Sequence, residues 1–543
     1  MERRSEERGS GTPLRVGVLL DSATVPAWQF RSLADLAFEP DAKLEVVVQL
    51  RGSAAPRPRG IVLRAYARVD RALFRSPRDP LAAVDPTELL DGIPRLAADV
   101  IARDDGDDLT EPDLDRLRGL RLDVLLQLGG GALAGGVQDV ARLGIWSFAH
   151  DDLARRGLAP FFSEMASGAR VSETRLVARS PGGEHVLQRC FASTNPNSLE
   201  RNRATALWKA ALLPARAVHA FASGRTPPFD GERTPGDDAR PATRVPGPLA
   251  VARVASSIAA RVVRNRLRIR RHDRVWFIAL RRRAATSLES DPLTGFVPIP
   301  RAPDRFYADP VLVRADDGHH LFFEDADRVT GLGAISHCAI HADGTTGPVD
   351  RILEGETHFS YPLVFAWRGA WYMIPETSEK RTVELYRATE FPLRWQLEKV
   401  LFRDVAAVDT TVLAHRGRLW LFTAMSPSGA SLDDELFLFH AEDLGGEWRP
   451  HPMNPIVSDV RRARPAGPLF WEGETLYRPG QDCAGDYGAA FWINRVDVLD
   501  ETTYRETPVR RIDPTWHPGG VCTHTYTRAG DFEAMDNRVW MRK

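Results

Sequence analysis

The hydrophobic period of the chain changes along its length. Up to residue 223, short continuous apolar runs recur: LRVGVLL (14–20), LEVVVQL (44–50), LDVLLQLGG (122–130) and GIWSFAH (144–150). Between them lie stretches with helical spacing, such as AWQFRSLADLAF at 27–38. Runs of this kind are strands buried on both faces, and their alternation with helices predicts an α/β domain around a doubly wound parallel sheet over 14–223. Glu184–Ala192 is expected as an added edge strand and Arg201–Phe221 as a closing helix. Residues 224–248 are dense in Gly, Pro and charge, which predicts a linker. Residues 249–271 predict a helix with Leu249, Val254, Ile258, Val262 and Ile269 roughly on one face. From 272 to 543 short strand-like runs alternate with turns about every ten residues, which predicts an all-β domain.

The second domain is repetitive. A polar motif, a β run, a turn glycine and an aromatic β run occur as ADPVLVRADDGHHLFFED (308–325), FSYPLVFAWRGAWYMIPE (359–376), VDTTVLAHRGRLWLFTA (408–424) and ARPAGPLFWEGETLYRPG (463–480). A weaker copy is THTYTRAGDF (523–532). Taking Asp309, Ser360, Asp409, Arg464 and His524 as equivalent, the steps are 51, 49, 55 and 60 residues. A step near fifty residues suits one four-stranded propeller blade, so five units predict a five-bladed β-propeller. The incomplete fifth unit is expected to be closed from the N-terminal side by VWFIALR (275–281).

In a propeller the first strand of each blade lines the axis, so those five polar positions should converge on one funnel. Glu376, Arg478 and Asp482 are expected near the same rim. Two or three carboxylates facing one another across a polar cleft suit glycoside hydrolysis. In that reading Asp309 is the base, Glu376 the acid and Asp409 the orienting group. Ser360, Arg464, Arg478, Asp482 and His524 would hold hydroxyls or an anionic group, and Tyr361 and Trp371 would stack on a sugar ring. A water-filled channel of mutually satisfied polar groups is the structural alternative. Asp309, Asp409 and His524 are the residues that could hold a divalent cation, but no local ligand spacing supports a metal site.

Charge narrows the choice of partner. Lys and Arg number 72 against 73 for Asp and Glu, so no global field favours nucleic acid. The local exception is 253–283, with eleven arginines and one acid, Asp273. Such a segment suits contact with an anionic membrane surface, or a linker helix with solvated arginines. The cysteines, Cys190, Cys338, Cys483 and Cys522, are too scattered for a zinc or disulfide framework. The charged first residues and the absence of long apolar runs lead to the expectation of a cytoplasmic protein, peripheral at the inner membrane face if the basic segment docks there. The triple glycine at 129–131 lacks the spacing of a dinucleotide loop.

Two resemblances add to this. FYADP, YPLVF…WYMIPET, ELYRATEFP, AVDTT, DDELFLF and SDVRRARPAGPLF…LYRPGQDC resemble the propeller that forms the N-terminal domain of glucosamine inositolphosphorylceramide transferases, over about 275–543. The resemblance implies a glycan-related role, but the glycosyltransferase domain of that family is not matched in this sequence. The ADP motif is also similar to the opening of blade one in five-bladed furanosidases. The segment DVLLQLGGG…LGIWSFAHDDL resembles the N-terminal domain of folate-dependent formyltransferases, a domain found joined to such propellers in bacterial proteins. That likeness implies an Asn, a His and an Asp acting on 10-formyltetrahydrofolate. His150 matches the His, whereas Ser147-Phe148 and Ser180-Pro181 stand where the Asn and Asp are expected. The reading favoured here is a carbohydrate-active protein that binds, and in its stronger form processes, a glycan or glycolipid in the propeller funnel. A folate-dependent sugar N-formyltransferase and a non-enzymatic scaffold for glycan assembly at a membrane are its alternatives.

Overall fold

The computed structural model describes residues 12–52, 60–103, 106–129, 133–150, 160–225, 247–283, 287–427 and 429–543. Most of the 224–248 segment, two of the three glycines at 129–131, and Asp151 to Leu153 of the formyltransferase-like run lie outside them. The chain divides between Arg261 and Val262 into two compact units.

The first unit holds an eight-stranded sheet in the order Gly183–Ser193, Val171–Ser180, Ile145–Phe148, Val124–Gln127, Leu14–Leu20, Ala42–Arg51, Arg95–Arg103, Gly106–Leu109. The five central strands are parallel, and they include all four of the apolar runs. The sheet as a whole is mixed, which corrects the parallel expectation. Val171–Ser180 and Gly183–Ser193 form an antiparallel hairpin at one edge, and Gly106–Leu109 turns back at the other. These outer strands mix polar and apolar residues because part of each faces solvent, so they lack the continuous apolar signature. Alternate residues of Leu14–Leu20 feed different cores: Val16, Val18 and Leu20 one, Leu19 the other. The expected helix over Arg201–Phe221 is two helices, Leu199–Ala210 and Leu213–Ala222, with Pro214 in the first turn of the second, where its missing N–H costs nothing. The mixed sheet does not by itself single out a formyltransferase-like fold.

The second unit is a five-bladed propeller. Blade 1 comprises Arg305–Ala315, Gly318–Asp327, Gly333–Ile340 and Asp350–Leu353; blade 2, Ser360–Trp367, Ala370–Glu376, Thr382–Glu390 and Arg394–Arg403. Blade 3 comprises Ala407–His415, Arg418–Met425, Leu436–Ala441 and Arg449–Pro450; blade 4, Phe470–Glu472, Thr475–Asp482, Ala490–Leu499 and Tyr504–Ile512. Blade 5 joins the two ends of the unit. His272–Arg282 pairs antiparallel with Phe532–Arg542 along its full 11 residues, and Tyr526–Ala529 lies on the inner side. The closure expected from 275–281 is therefore made by this strand.

Each neighbouring pair of blades encloses its own hydrophobic cluster. Leu321 and Phe323 face blade 5, with Ile278 and Leu280, whereas Phe322 between them faces blade 2, with Met373 and Val364. The same alternation places Leu421 against blade 2 and Trp420 and Phe422 against blade 4. Both faces of a blade are buried, so its central strands read as unbroken apolar runs.

Ring closure depends on packing at the shared blade. Ile278 has 0% exposure there. Ile278→Ala is expected to destabilise the propeller by about 2–4 kcal/mol through lost burial and the cavity left behind. A smaller fall in the midpoint of its urea unfolding transition would show that the closing strand contributes little.

Candidate functional site

The inner strands of blades 1, 2 and 3 carry the same distortion. Pairing with the second strand skips at Ala308/Val311, Ser360/Leu363 and Val408/Thr411. The first residue of each bulge is left-handed, with φ of 52° at Asp309, 41° at Tyr361 and 52° at Asp409. Bulges re-aim side chains, and a left-handed non-glycine residue persists only where its surroundings hold it. This geometry corrects the repeat register: Tyr361, not Ser360, is the counterpart of Asp309 and Asp409. It also shows what faces the residue before each bulge. Ala308 pairs with Glu324, Ser360 with Glu376 and Val408 with Ala424, so Glu324 and Glu376 are equivalents in successive blades.

Arg464 organises one side of the funnel. Its Nε and Nη2 donate to Asp409, at 2.7 and 3.2 Å, and Nη2 also reaches Glu376 at 3.3 Å. Nη1 donates to Asp433 at 3.1 Å, and the guanidinium lies 4.9 Å from the centre of the Tyr487 ring. Gln481 donates a further bond to Asp409 at 2.7 Å, and Ser378 donates to Glu376 at 2.8 Å. Burial pushes the Asp409 carboxyl up and Arg464 opposes it. Asp409, Tyr487, Glu376 and Asp433 together hold the Arg464 guanidinium well above its ordinary value against its own burial, so the cation is permanent.

The other side is built on Asp309, His524 and Asp536. Asp309 accepts from Thr525 Oγ1 at 2.9 Å and from the Tyr361 N–H at 3.3 Å. His524 Nε2 lies 3.5 Å from Asp309, and its Nδ1 lies 2.5 Å from Asp536. The ring stacks on Trp276 at 4.1 Å, and Tyr487 meets it edge-on at 5.2 Å. Burial raises the Asp309 carboxyl to about 7; His524 opposes the rise, and Glu324, Asp409 and Asp536 add to it. For His524 burial acts downward, but the carboxylates of Asp536 and Asp309 outweigh it and raise the imidazole to about 9. Ligand atoms of Asp309, His524 and Asp536 lie within 4.8 Å of one another, a spacing a cation can use. Asp536, however, already accepts the backbone N–H groups of Asp309, His524 and Thr525. Beside this group, Glu324 meets His358 Nε2 at 3.2 Å and raises the imidazole to about 9, and the Gly333 N–H lies 3.0 Å from His358 Nδ1.

The expected site residues therefore divide. Asp309, Glu376, Asp409, Arg464 and His524 come together. Ser360 is buried beside them. Tyr361 offers no stacking face: it has 0% exposure, and its hydroxyl bonds Thr411 at 2.8 Å and accepts the Gly467 N–H at 2.9 Å, pinning blade 2 to blades 3 and 4. Gly467 is obligatory there, since a Cβ would lie 2.0 Å from the Tyr526 carbonyl oxygen. Trp371 stacks on Phe391 at 4.4 Å inside its blade. Arg478 does not reach the funnel; it lies buried in blade 4, in a two-pronged pair with Glu506 at 2.7 Å. Asp482 accepts from Arg511 at 3.0 Å in the same blade. The alternation along Thr475–Asp482 sends Gln481 to Asp409, and its neighbour Asp482 elsewhere. In the first unit His150 sits among the rings of Trp28, Phe148 and Phe161, at 5.3, 5.4 and 5.6 Å, and Ser147 accepts a bond from Arg179. Sequence reasoning missed Glu324, His358, Asp433, Gln481, Tyr487 and Asp536. Glu324 alone had a signal, since LFFED and MIPE end corresponding strands.

The family match lies in the propeller. Residues 296–515 match the family model described as glucosamine inositolphosphorylceramide transferase 1, N-terminal. The glucosamine inositolphosphorylceramide transferases 1 of Arabidopsis thaliana and of Oryza sativa subsp. japonica are each 37% identical over 211 residues, 38% of this chain. The chain spans 28% of the length of these relatives. Among solved structures, a thermostable family-43 glycoside hydrolase is similar at 13% identity and a TM-score of 0.31, over 38% of this chain and 76% of the other. The catalytic domain of the Coprinopsis cinerea GH62 alpha-L-arabinofuranosidase gives 12% and 0.34, over 46% and 95%.

Two outcomes follow from the charges. An imidazole raised above its ordinary 6.5 stabilises the fold fully below that value, and the contribution is lost as pH rises through about 9. The propeller should therefore lose about 3 kcal/mol between these limits. The raised Asp309 carboxyl acts in a lower window, from its ordinary 3.8 up to about 7. Urea unfolding at several pH values should show the alkaline slope in the native chain and not in His524→Gln; an equal slope in both would refute the assignment. Arg464→Met leaves buried carboxylates uncompensated and should cost about 3–5 kcal/mol. That deficit should shrink as pH falls from neutral and the freed Asp409 carboxyl takes up a proton, a trend the same titration would reveal or exclude.

Proposed function

We propose that the propeller binds a sugar unit of a glycan or glycolipid in its axial funnel, and that Glu376 and Glu324 are the carboxylates that meet it. The observation that carries this reading is the graded exposure of the acidic groups. Side-chain exposure is 2% at Asp409 and 6% at Asp309, against 9% at Glu324, 12% at Glu376 and 32% at Asp433. The two aspartates at the bulges form the wall. The glutamates one strand outward, each beside a nitrogen donor, stand where a ligand arrives.

The chemistry fits polyol recognition. Glu376, Asp433 and Glu324 accept hydrogen bonds from hydroxyl or ammonium groups, and the Arg464 guanidinium fixes two of them in place. A carboxylate whose orientation is already fixed loses little entropy on binding. Asp309, raised to about 7 and engaged on both oxygens, is poorly suited to the role of base expected for it. If the bound sugar is also cleaved or transferred, Glu376 is the best-placed proton donor or acceptor of the three. The match of 296–515 to the transferase N-terminal model supports a carbohydrate-related role. The names of the relatives suggest glucosamine, inositol and their conjugates as the first ligands to try.

Calorimetric titration of the whole chain with glucosamine, N-acetylglucosamine, glucose, glucuronate and myo-inositol tests the proposal. Saturable binding of at least one, weakened about ten- to a hundredfold by Glu376→Gln and by Glu324→Gln, is expected, since each substitution removes a hydrogen bond to a charged group. No saturable binding, or binding unaltered in both variants, would sink it.

A further inference from the structure

The helix Pro248–Arg271 has two contrasting sides. Val251 and Val254 are buried in the core of the first unit, with Ile258 packed against it, and Arg261 donates to the Pro196 carbonyl at 2.7 Å. At 3.6 residues per turn these four share one face. The opposite face carries Leu249, Ala252, Ser256, Ala260, Val263 and Leu267, all exposed. Leu249 is 88% exposed, Val263 58% and Leu267 51%. This corrects the expected apolar face, which had set Leu249 with Val254.

Arg253, Arg264 and Arg271 line one edge of the outer stripe, and Arg266 and Arg270 the other. Among the described residues, none of these five has a carboxylate within ion-pair distance. Elsewhere buried arginines are answered by acids, as Arg281 is by Glu533, Arg305 by Asp325 and Arg478 by Glu506. A row of guanidinium groups with no acidic partner, beside exposed apolar side chains, is complementary to an anionic, partly apolar surface.

We propose that this outer face docks on the surface of a membrane that contains anionic phospholipid. The apolar stripe is thin, with two leucines and one valine, so hydrophobic burial alone would hold weakly. The arginine stems extend the apolar surface while their guanidinium groups reach phosphates in two-pronged fashion. The contact lies in the plane of the interface: no helix among the described residues is long and apolar enough to cross a membrane. This inference is independent of sugar binding in the funnel.

Co-sedimentation of the whole chain with vesicles of phosphatidylcholine, and with vesicles that also contain phosphatidylglycerol, tests it. Binding to the second kind only, falling as salt rises, is expected. Arg264→Ala/Arg266→Ala/Arg270→Ala should weaken that binding about a hundredfold, at about fivefold per arginine. Val263→Ser/Leu267→Ser should weaken it several-fold, and both variants should keep the native circular dichroism and unfolding midpoint because these side chains are exposed. Three results would overturn the proposal: equal binding to neutral vesicles, no binding to either, or native-like binding by the arginine variant. Tighter binding to RNA that is lost in the same variant would reassign the face to nucleic acid. A dimer dissolved by Val263→Ser/Leu267→Ser would reassign it to a second copy of the chain.

Discussion

The propeller is held shut at its axis by one buried carboxylate. Asp536, on the last strand, has 0% exposure and accepts N–H groups from His524 and Thr525 in its own blade and from Asp309 in blade 1. A ring of blades has a single seam where first and last meet, and there the chain has no covalent continuity to set the register. Outside, the seam is closed by the pairing of His272–Arg282 with Phe532–Arg542. Inside, Asp536 closes it, and the left-handed turn at Asp309 is what points that N–H toward it. The funnel inherits its geometry from this closure, since the same turn aims the Asp309 carboxyl at Thr525 and His524.

The second consequence is electrostatic. Closing the ring gathers Asp309, Glu324, Glu376, Asp409, Asp433 and Asp536 around a narrow axis. Three cationic groups answer them directly: Arg464, permanently charged, and His524 and His358, which their carboxylate neighbours keep protonated. Arg464 and His524 are each surrounded by more acids than either can neutralise, so burial leaves Asp309 and Asp409 with raised carboxyls. The acids stand at two depths: aspartates at the bulges of blades 1 and 3, glutamates one strand further out in blades 1 and 2.

Much of this was legible in the chain. The repeated unit announced five blades because a blade strand buried on both faces has no choice but to be continuously apolar, and its turn needs glycine. Four of the five parallel strands of the first unit were legible for the same reason, and Arg95–Arg103 was not. The edge strand Gly183–Ser193 was legible as the expected Glu184–Ala192, but its partner Val171–Ser180 and the strand Gly106–Leu109 were not, because half-exposed strands carry mixed composition. In the funnel, Asp309, Asp409, Arg464, His524 and Glu376 were found as polar residues at repeated positions. Arg478 was misplaced because it occupies the same motif but, in a strand, points to the side opposite its neighbours.

Sequence by itself determined the periods: where strands and helices lie, how many blades there are, and which polar positions recur. Those quantities depend on local spacing and on the burial of whole faces, which composition records. The tertiary structure decided the register, the partners and the exposure. A one-residue bulge shifted the equivalence from Ser360 to Tyr361 and turned a proposed stacking surface into a buried strut. Asp536 and Tyr487 entered the site from segments with no motif in common with it, and Gln481 entered from the LYRPGQDC run in place of its neighbour Asp482. Such outcomes hang on contacts between residues tens to hundreds of positions apart, and no local pattern encodes which of two adjacent side chains will meet them.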